Sequence, residues 1–227
     1  MINNLWMPNV EHIPTAAFGG YGVIKPVGAI NHIMQGYQTT MINWAKERPY
    51  KTLKSAHFTI NREGRIVQHV ALNQASWASG SVRDPTWRLL KSNSRGPLNP
   101  NGYIINIEHE GFSKPPGYGY DYIYNSSNPW PEKMVLASIE VHRWIFDELG
   151  LQPNEDTITG HYAIDSITRA HDPGQMWPQK RVIDAVNTGG LPPPVNKSLA
   201  YWEIFAGRVT PIRIEGKQGV YEIKVKI

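Results

Sequence analysis

Residues 160–174 read GHYAIDSITRAHDPG, and this stretch concentrates two histidines and two aspartates between residues that interrupt helices. Proline fixes its own φ angle and favours an extended conformation in the residue before it, so Asp172 is expected on a rigid turn. His161 and Asp172 could supply two of the three protein ligands of a catalytic zinc ion, which leaves a fourth position for water. A polar surface loop is the alternative interpretation, and residues elsewhere in the chain decide between the two.

Composition predicts one folded domain. The chain has 227 residues, of which 41% are hydrophobic and 11% aromatic, enough for a substantial core. No run approaches the roughly 20 apolar residues that cross a bilayer, so membrane insertion is not expected. The first residues show neither a basic nor an apolar segment, so no secretory signal peptide is expected. The absence of cysteine excludes disulfides, thiolate metal ligands and a cysteine nucleophile.

The formal net charge of +4 suits association with an anionic polymer, either nucleic acid or an acidic cell envelope. The lysines and arginines are scattered and match no groove-reading motif, so we do not expect a nucleic-acid partner. A weakly basic, solvated surface is the plain alternative.

Strand and helix patterns alternate along the chain, which predicts an α/β fold with a mixed central β-sheet flanked by helices. Residues 1–27 are expected to form an irregular N-terminal arm, and residues 71–102 are rich in loops. The predicted strands are 28–34, 55–61, 65–70, 103–108 and 157–159, with 55–61 and 65–70 forming a hairpin, and the predicted helices are 37–47, 131–149 and 178–186.

The C-terminal region predicts a small extension of the fold. A main domain is expected at 1–190, a proline-rich linker at 191–197 and a short β extension at 198–227. Within it, residues 210–215 and 220–227 alternate as a β-hairpin. An isolated hairpin is marginally stable in water. We therefore expect it to dock on its own domain or to form a homodimer interface.

Three further residues fall where an α/β active site is expected. His32 lies near the end of an early strand and Glu108 at the end of the predicted central strand, and such sites collect beyond strand ends. His32, His161 and Asp172 would form a three-ligand zinc site, with Glu108 as the base for the bound water. Glu110 lies on the same strand face and is the rival base.

Several segments match one known family in the family's order. At these residues the chain resembles the zinc-dependent N-acetylmuramoyl-L-alanine amidases, which include phage endolysins, bacterial wall amidases and animal peptidoglycan recognition proteins. Together the matches cover roughly residues 25–187. The matching segments are SAHFTI at 55–60, EGRIVQ at 63–68, NPN at 99–101, IEHEG at 107–111, GH at 160–161 and DPG at 172–174.

The resemblance implies a mixed sheet flanked by helices and a zinc ion held by His32, His161 and Asp172. It also implies that Glu108 is the catalytic residue, because the family motif has its glutamate there. The implied substrate is bacterial peptidoglycan, cleaved at the amide bond between N-acetylmuramic acid and L-alanine of the stem peptide. Residues 1–190 would then be the catalytic domain, and wall attachment is a secondary possibility for the C-terminal hairpin.

The chain departs from the family pattern at two places. The family often has a lysine two residues before its third ligand, where Ala170 stands here, and Arg169 or His171 is a candidate for the missing cation. Residues 76–80 read SWASG where the family has Ala-Trp-His-Ala-Gly. His57 is expected to be structural or to line the cleft, and Trp77 to anchor a loop rather than to bind sugar.

The sequence therefore predicts a peptidoglycan hydrolase, either a phage endolysin or a bacterial lytic amidase. Without a visible export signal, an endolysin would wait in the host cytoplasm and act on the cell wall after release. The alternative is a non-catalytic peptidoglycan-binding protein of the same fold. Loss of one oxyanion donor typically lowers a rate on the order of 100- to 1000-fold, so Ala170 favours that alternative. Retention of all three ligand candidates favours the enzyme.

Overall fold

The chain divides into two compact units, Met1–Pro192 and Pro193–Ile227. The structure is a computed structural model, and the residues that it describes are 5–19, 24–47, 54–91, 99–113, 128–174 and 176–189, with the backbone of 212–216 and 219–223.

A six-stranded mixed sheet forms the centre of the first unit, in the order β1-β4-β3-β5-β2-β6. Only β3 and β4 pair antiparallel, and the other neighbours are parallel. This confirms the predicted mixed sheet flanked by helices. The strands are β1 (Glu11–His12), β2 (Ala29–Ile33), β3 (Phe58–Ile60), β4 (Ile66–Gln68), β5 (Ile105–His109) and β6 (Ile158–Gly160), and the helices are α1 (Gln38–Lys46), α2 (Arg88–Lys91), α3 (Glu132–Leu149) and α4 (Gln179–Thr188).

Alternation along the strands divides the core between the two faces of the sheet. Ile105 and Ile107 of β5 belong to a cluster that includes Met134 and Ile139 of α3 and Val182 of α4. The residues between them, such as Asn106, point to the opposite face. That face carries a smaller apolar cluster of Ile30, Trp87, Leu90, Ile104, Ala163 and Ile164, and the polar residues of the site.

Helix α3 begins and ends where its flanking residues predict. Pro131 precedes its first residue, and Gly150 follows its last with a left-handed φ of 62°, a conformation that glycine adopts without strain. The backbone N–H of Leu151 donates to the carbonyl of Phe146, which satisfies one of the carbonyls at the helix end. One face of the helix is apolar: Val135, Ile139, Ile145 and Phe146 are buried, and Leu149 packs against the same core half-buried.

Two sequence predictions are corrected. The N-terminal arm is not irregular throughout, because Glu11–His12 pairs parallel with β4. Both residues are exposed and show no apolar alternation, so the sequence gives no sign of this strand. The central strand begins two residues later than predicted and ends at His109, so Glu108 is its penultimate residue. The described part of the region 71–102 is rich in turns and loops, as predicted, and contains the short helix α2.

The second unit contains the predicted hairpin, in which β7 (Ile212–Gly216) pairs antiparallel with β8 (Gly219–Ile223). Its side chains and residues 191–197 lie outside the described residues. The domain limits, the docking of the hairpin and the homodimer therefore stay predictions. Within the described part of the chain, no helix has the length and apolar character needed to span a bilayer.

One buried histidine joins α3 to the sheet. His142 donates from Nδ1 to the Ser138 carbonyl at 2.6 Å and accepts at Nε2 from Asn31 Nδ2 at 3.2 Å. Burial lowers the pKa of His142 to about 4, so the ring is neutral at pH 7. The folded chain therefore binds fewer protons than the unfolded chain between pH 6.5 and 4, and stability falls as the pH falls through that range.

We expect His142→Gln to flatten this acid dependence of stability. Between pH 6.5 and 5, the wild type should lose on the order of 2 kcal/mol more unfolding free energy than the variant. Urea unfolding at a series of pH values measures the difference. His12→Gln, which changes an exposed histidine, is the control and should keep the wild-type slope. Equal slopes for wild type and His142→Gln would contradict the prediction.

Candidate active site and metal centre

The register of three parallel strands brings the predicted site residues together. His32 of β2 lies directly opposite Glu108 of β5, and Asn31 lies opposite Gly160 of β6. His161 follows Gly160 immediately and therefore lies beside His32. Paired residues of neighbouring strands point to the same face, so Glu108 and His32 share the face opposite α3 and α4.

Close packing at Gly160 shapes the segments that carry the other two ligands. A Cβ at this position would lie 2.5 Å from Pro173 Cδ and 2.5 Å from Tyr162 Cε1. The Tyr162 N–H donates to the Asp172 carbonyl at 2.9 Å, which fixes the return of the chain from His161 to Asp172. Only glycine permits this approach.

Three side-chain atoms converge at one point. The Nδ1 atoms of His32 and His161 are 3.0 Å apart, and Asp172 Oδ2 lies 3.0 Å from His161 Nδ1 and 3.9 Å from His32 Nδ1. All three side chains are buried. Tetrahedral zinc with bonds of about 2.0–2.1 Å separates its N and O ligands by about 3.3 Å, within the range seen here.

In each ligand side chain, the polar atom that faces away from the other two ligands has a partner of its own. His32 Nε2 bonds to Asn106 Oδ1 at 2.9 Å, and His161 Nε2 donates to the Ser79 carbonyl at 3.0 Å. Asp172 Oδ1 accepts from the Ile33 N–H at 2.8 Å. Metal-bound histidines typically have such outer partners, which fix the tautomer and the ring orientation.

The electrostatics of these three residues fit a cation. Burial and the neighbouring His161 lower the pKa of His32 to about 3, so the His32 ring is neutral at pH 7. The His32 Nδ1 lone pair faces His161 Nδ1 and the Asp172 carboxylate. Two imidazole nitrogens and one carboxylate oxygen form a donor set that fits a divalent metal such as zinc.

Glu108 has the surroundings of a catalytic base. Its Oε2 atom is buried and has no hydrogen-bond partner in the described part of the chain. Burial and the Asp172 carboxylate raise the pKa of Glu108 to about 8, while Arg169 and Lys54 act in the opposite direction. A divalent cation at the three ligands would lower this pKa further and favour the carboxylate.

The rival base has another role. Glu110 Oε2 accepts from the backbone N–H of Gln38 at 3.0 Å, at the first residue of α1. A carboxylate at this position satisfies a free N–H and interacts favourably with the helix dipole. This contact gives Glu110 a structural function and leaves Glu108 as the candidate base.

Of the two candidate cations, Arg169 has a charge that reaches Glu108 and His32. Its exposed side chain lowers the pKa of both Glu108 and His32, after the larger effects of burial. His171 is also exposed, on the loop before Asp172. The charge of Lys54, a residue that the sequence analysis missed, reaches Glu108 as well.

His57 and Trp77 lie away from the ligand atoms in different ways. His57 is fully buried, donates from Nε2 to the Gln74 carbonyl at 2.8 Å and accepts at Nδ1 from the Asn106 N–H at 3.0 Å. This corresponds to the structural alternative and does not correspond to contact with substrate. Trp77 is half-buried, and its backbone N–H donates to Ser55 Oγ at 3.0 Å, which ties this loop to the segment before β3.

Comparisons with known proteins identify the family of the chain. Residues 24–175, more than half of the chain, match the N-acetylmuramoyl-L-alanine amidase family. The chain belongs to that family. The amidase is 27% identical over 174 residues to 1,6-anhydro-N-acetylmuramyl-L-alanine amidase AmpD of Haemophilus influenzae, covering 77% of each chain. It is 24% identical over 178 residues to N-acetylmuramoyl-L-alanine amidase A of Achromobacter lyticus, covering 71% of this chain and 83% of that one.

Solved structures show the same fold. A crystal structure of an AmpD selenomethionine derivative aligns with a TM-score of 0.55 at 17% identity, covering 82% of the amidase and 98% of that chain. The Escherichia coli amidase AmiD was solved with anhydro-N-acetylmuramic acid-L-Ala-D-gamma-Glu-L-Lys. It aligns with a TM-score of 0.53 at 18% identity, and the alignment covers 73% of this chain and 59% of AmiD. The family match and the two amidases of similar sequence together identify the chain as a peptidoglycan amidase.

Proposed function

We propose that this amidase depends on zinc and hydrolyses the amide bond between the lactyl group of N-acetylmuramic acid and the first L-alanine of the stem peptide. The observation that carries the proposal is the convergence of two histidine Nδ1 atoms and one aspartate oxygen beside the unpartnered Glu108 Oε2. His32, His161 and Asp172 would hold the ion. When bound, zinc supplies Lewis acidity, which polarises a carbonyl and acidifies water.

The protein's own groups would carry the protons and the charge. Glu108 Oε2 accepts a proton from the attacking water and returns it to the leaving amine of L-alanine, as a general base and then a general acid. Burial of the carboxyl favours the return step, because burial raises its pKa and makes the protonated form accessible. The half-buried side chain of Glu108 lies directly opposite His32 across the pair of strands β2 and β5.

Arg169 takes the place of the lysine that the family often has where Ala170 stands. The proposal is supported by the charge of Arg169, which lowers the pKa of both Glu108 and His32. A preorganised positive charge stabilises the transition state more than the ground state. The arginine is on the loop that carries Asp172, so the same turn supplies a ligand and the cation.

Peptidoglycan recognition without catalysis is the second candidate, and Ala170 is the observation in its favour. A binding protein has little need of a buried, unpartnered carboxylate beside three metal donors, because that arrangement is costly without a reaction to support. The role as a phage endolysin that is held in the host cytoplasm until lysis stays a prediction.

We expect one zinc ion per chain in protein purified without chelator. Elemental analysis gives the stoichiometry, and removal of zinc by a chelator should abolish release of stem peptides from purified peptidoglycan. Restoring zinc should restore the release and raise the melting temperature, because the ion binds only the folded chain. Protein that contains no zinc and acquires none on addition would remove the zinc mechanism.

We expect Glu108→Gln to keep the metal and the fold but to lose turnover, because an amide cannot accept the proton. The rate should fall by on the order of 100-fold or more. The assay counts new L-alanine amino termini released from peptidoglycan, with zinc content measured on the same sample. Glu110→Gln is the matched control, and it should lower the melting temperature while hydrolysis continues. Hydrolysis at the wild-type rate by Glu108→Gln would move the base elsewhere.

We expect Arg169→Ala to lower kcat on the order of 100- to 1000-fold with a smaller change in KM, because the cation would act on the transition state. Arg169→Lys keeps the charge and should recover part of the rate. His171→Ala provides the comparison at the other candidate position. A larger loss in His171→Ala than in Arg169→Ala would assign the role to His171.

A further inference from the structure

A chain of buried hydrogen bonds leads from a backbone carbonyl to the metal ligand His32. It begins at the Gln74 carbonyl, which can only accept, so His57 must carry its hydrogen on Nε2. Burial lowers the pKa of His57 to about 4, so the ring is neutral at pH 7 and Nδ1 is an acceptor. Ser76 Oγ lies 3.0 Å from that Nδ1 and donates its hydrogen to it, so the Nδ1 lone pair is shared between Ser76 and the backbone N–H of Asn106, also at 3.0 Å.

The direction of the Ser76 hydroxyl fixes the amide of Asn106. Because Ser76 has given its only hydrogen to His57, its oxygen accepts from Asn106 Nδ2 at 2.8 Å. The Asn106 Oδ1 atom therefore faces the other way, where it accepts from Ser79 Oγ at 2.8 Å and from His32 Nε2 at 2.9 Å.

This orientation determines which nitrogen of His32 is free. An amide oxygen only accepts, so His32 carries its hydrogen on Nε2 and presents the Nδ1 lone pair to His161 and Asp172. The opposite amide orientation would direct an N–H donor at His32 Nε2 and move the histidine hydrogen to Nδ1. In that tautomer, His32 could not bind a metal through Nδ1.

Ser79 connects the second histidine ligand to the same network. Its carbonyl accepts from His161 Nε2 at 3.0 Å, while its hydroxyl donates to Asn106 Oδ1. Ser76, Ser79 and Asn106 are 0% exposed, so water does not compete for these bonds. The two serines stand where the family pattern has alanine, and both hydroxyls bind the Asn106 side chain.

We propose that Ser76, Ser79 and Asn106 are positioning residues that set the His32 tautomer and, with it, the affinity of the metal centre. The inference rests on the proposed zinc site, but the tautomer is a property of the metal-free protein and is testable without the ion. The segment 76–80 has Ala78 in place of the family histidine, and its two serine hydroxyls would still orient the Asn106 side chain.

The tautomer is measured by two-bond ¹H–¹⁵N correlation spectra of the histidine rings in the metal-free protein at pH 7.5. The wild type should show His32 with hydrogen on Nε2. Ser76→Ala touches neither histidine ligand, yet it should mix the two His32 tautomers, and Asn106→Leu should mix them more. Ser138→Ala removes an equally buried hydroxyl that bonds the non-ligand histidine His109, and it should leave the His32 spectrum unchanged.

Zinc affinity is measured on the same proteins by competition with a fluorescent chelator. Asn106→Leu should weaken zinc binding about 10- to 100-fold, the usual effect of removing an outer partner of a ligand. Asn106→Asp keeps an acceptor toward His32 and should bind zinc more tightly than Asn106→Leu. A merely structural role gives the reverse order, because a buried carboxylate destabilises the fold more than leucine does.

The outcomes separate the two proposals. A wild type with the Nε2–H tautomer that binds no zinc would overturn the proposed function and leave the positioning role standing. A wild type that binds zinc, with Ser76→Ala and Asn106→Leu unchanged in tautomer and in affinity, would overturn the positioning role. If Asn106→Leu does not fold, the His32 spectrum of Ser76→Ala decides.

Discussion

The parallel register of β5, β2 and β6 is the constraint on which the active site depends. It sets Glu108 opposite His32 and places His161 immediately after the residue that faces Asn31. Strand pairing has a side-chain period of two, so a slip of one residue would send His32 to the helix-covered face and bring Ile33 to the site. The apolar residues that α3 and α4 bury therefore also hold the candidate site residues in position.

The same register creates an energetic problem that the site's hydrogen bonds offset. Two imidazoles and a carboxylate are buried together, and buried polar groups without partners cost stability. The outer atoms of all three have partners, in Asn106, the Ser79 carbonyl and the Ile33 N–H. The three atoms that face one another are His32 Nδ1, His161 Nδ1 and Asp172 Oδ2, and a cation bound between them would stabilise all three.

The sequence was informative where local chemistry decides the structure. Proline and glycine marked the ends of α3, and the polar residues after apolar strands marked the ligands. It was uninformative where partners come from distant segments, because no spacing pattern joins Ser76, Asn106 and His32. The two-residue strand β1 was not predicted for the same reason, because it forms by pairing with β4 and its own composition carries no strand pattern. The sequence does not separate the roles of Glu108 and Glu110, which the contact of Glu110 with α1 and the buried Oε2 of Glu108 distinguish.

The two departures from the family pattern have one physical explanation. A reaction needs a positive charge near a developing oxyanion and a fixed ligand tautomer, and it does not need a particular residue to supply either. In the proposed mechanism, Arg169 supplies the charge from the position next to Ala170. The serines of the SWASG segment supply hydrogen bonds from positions where the family has alanine. A missing motif residue is therefore weak evidence of lost activity when the metal donors, the buried Glu108 and a nearby cation are all present.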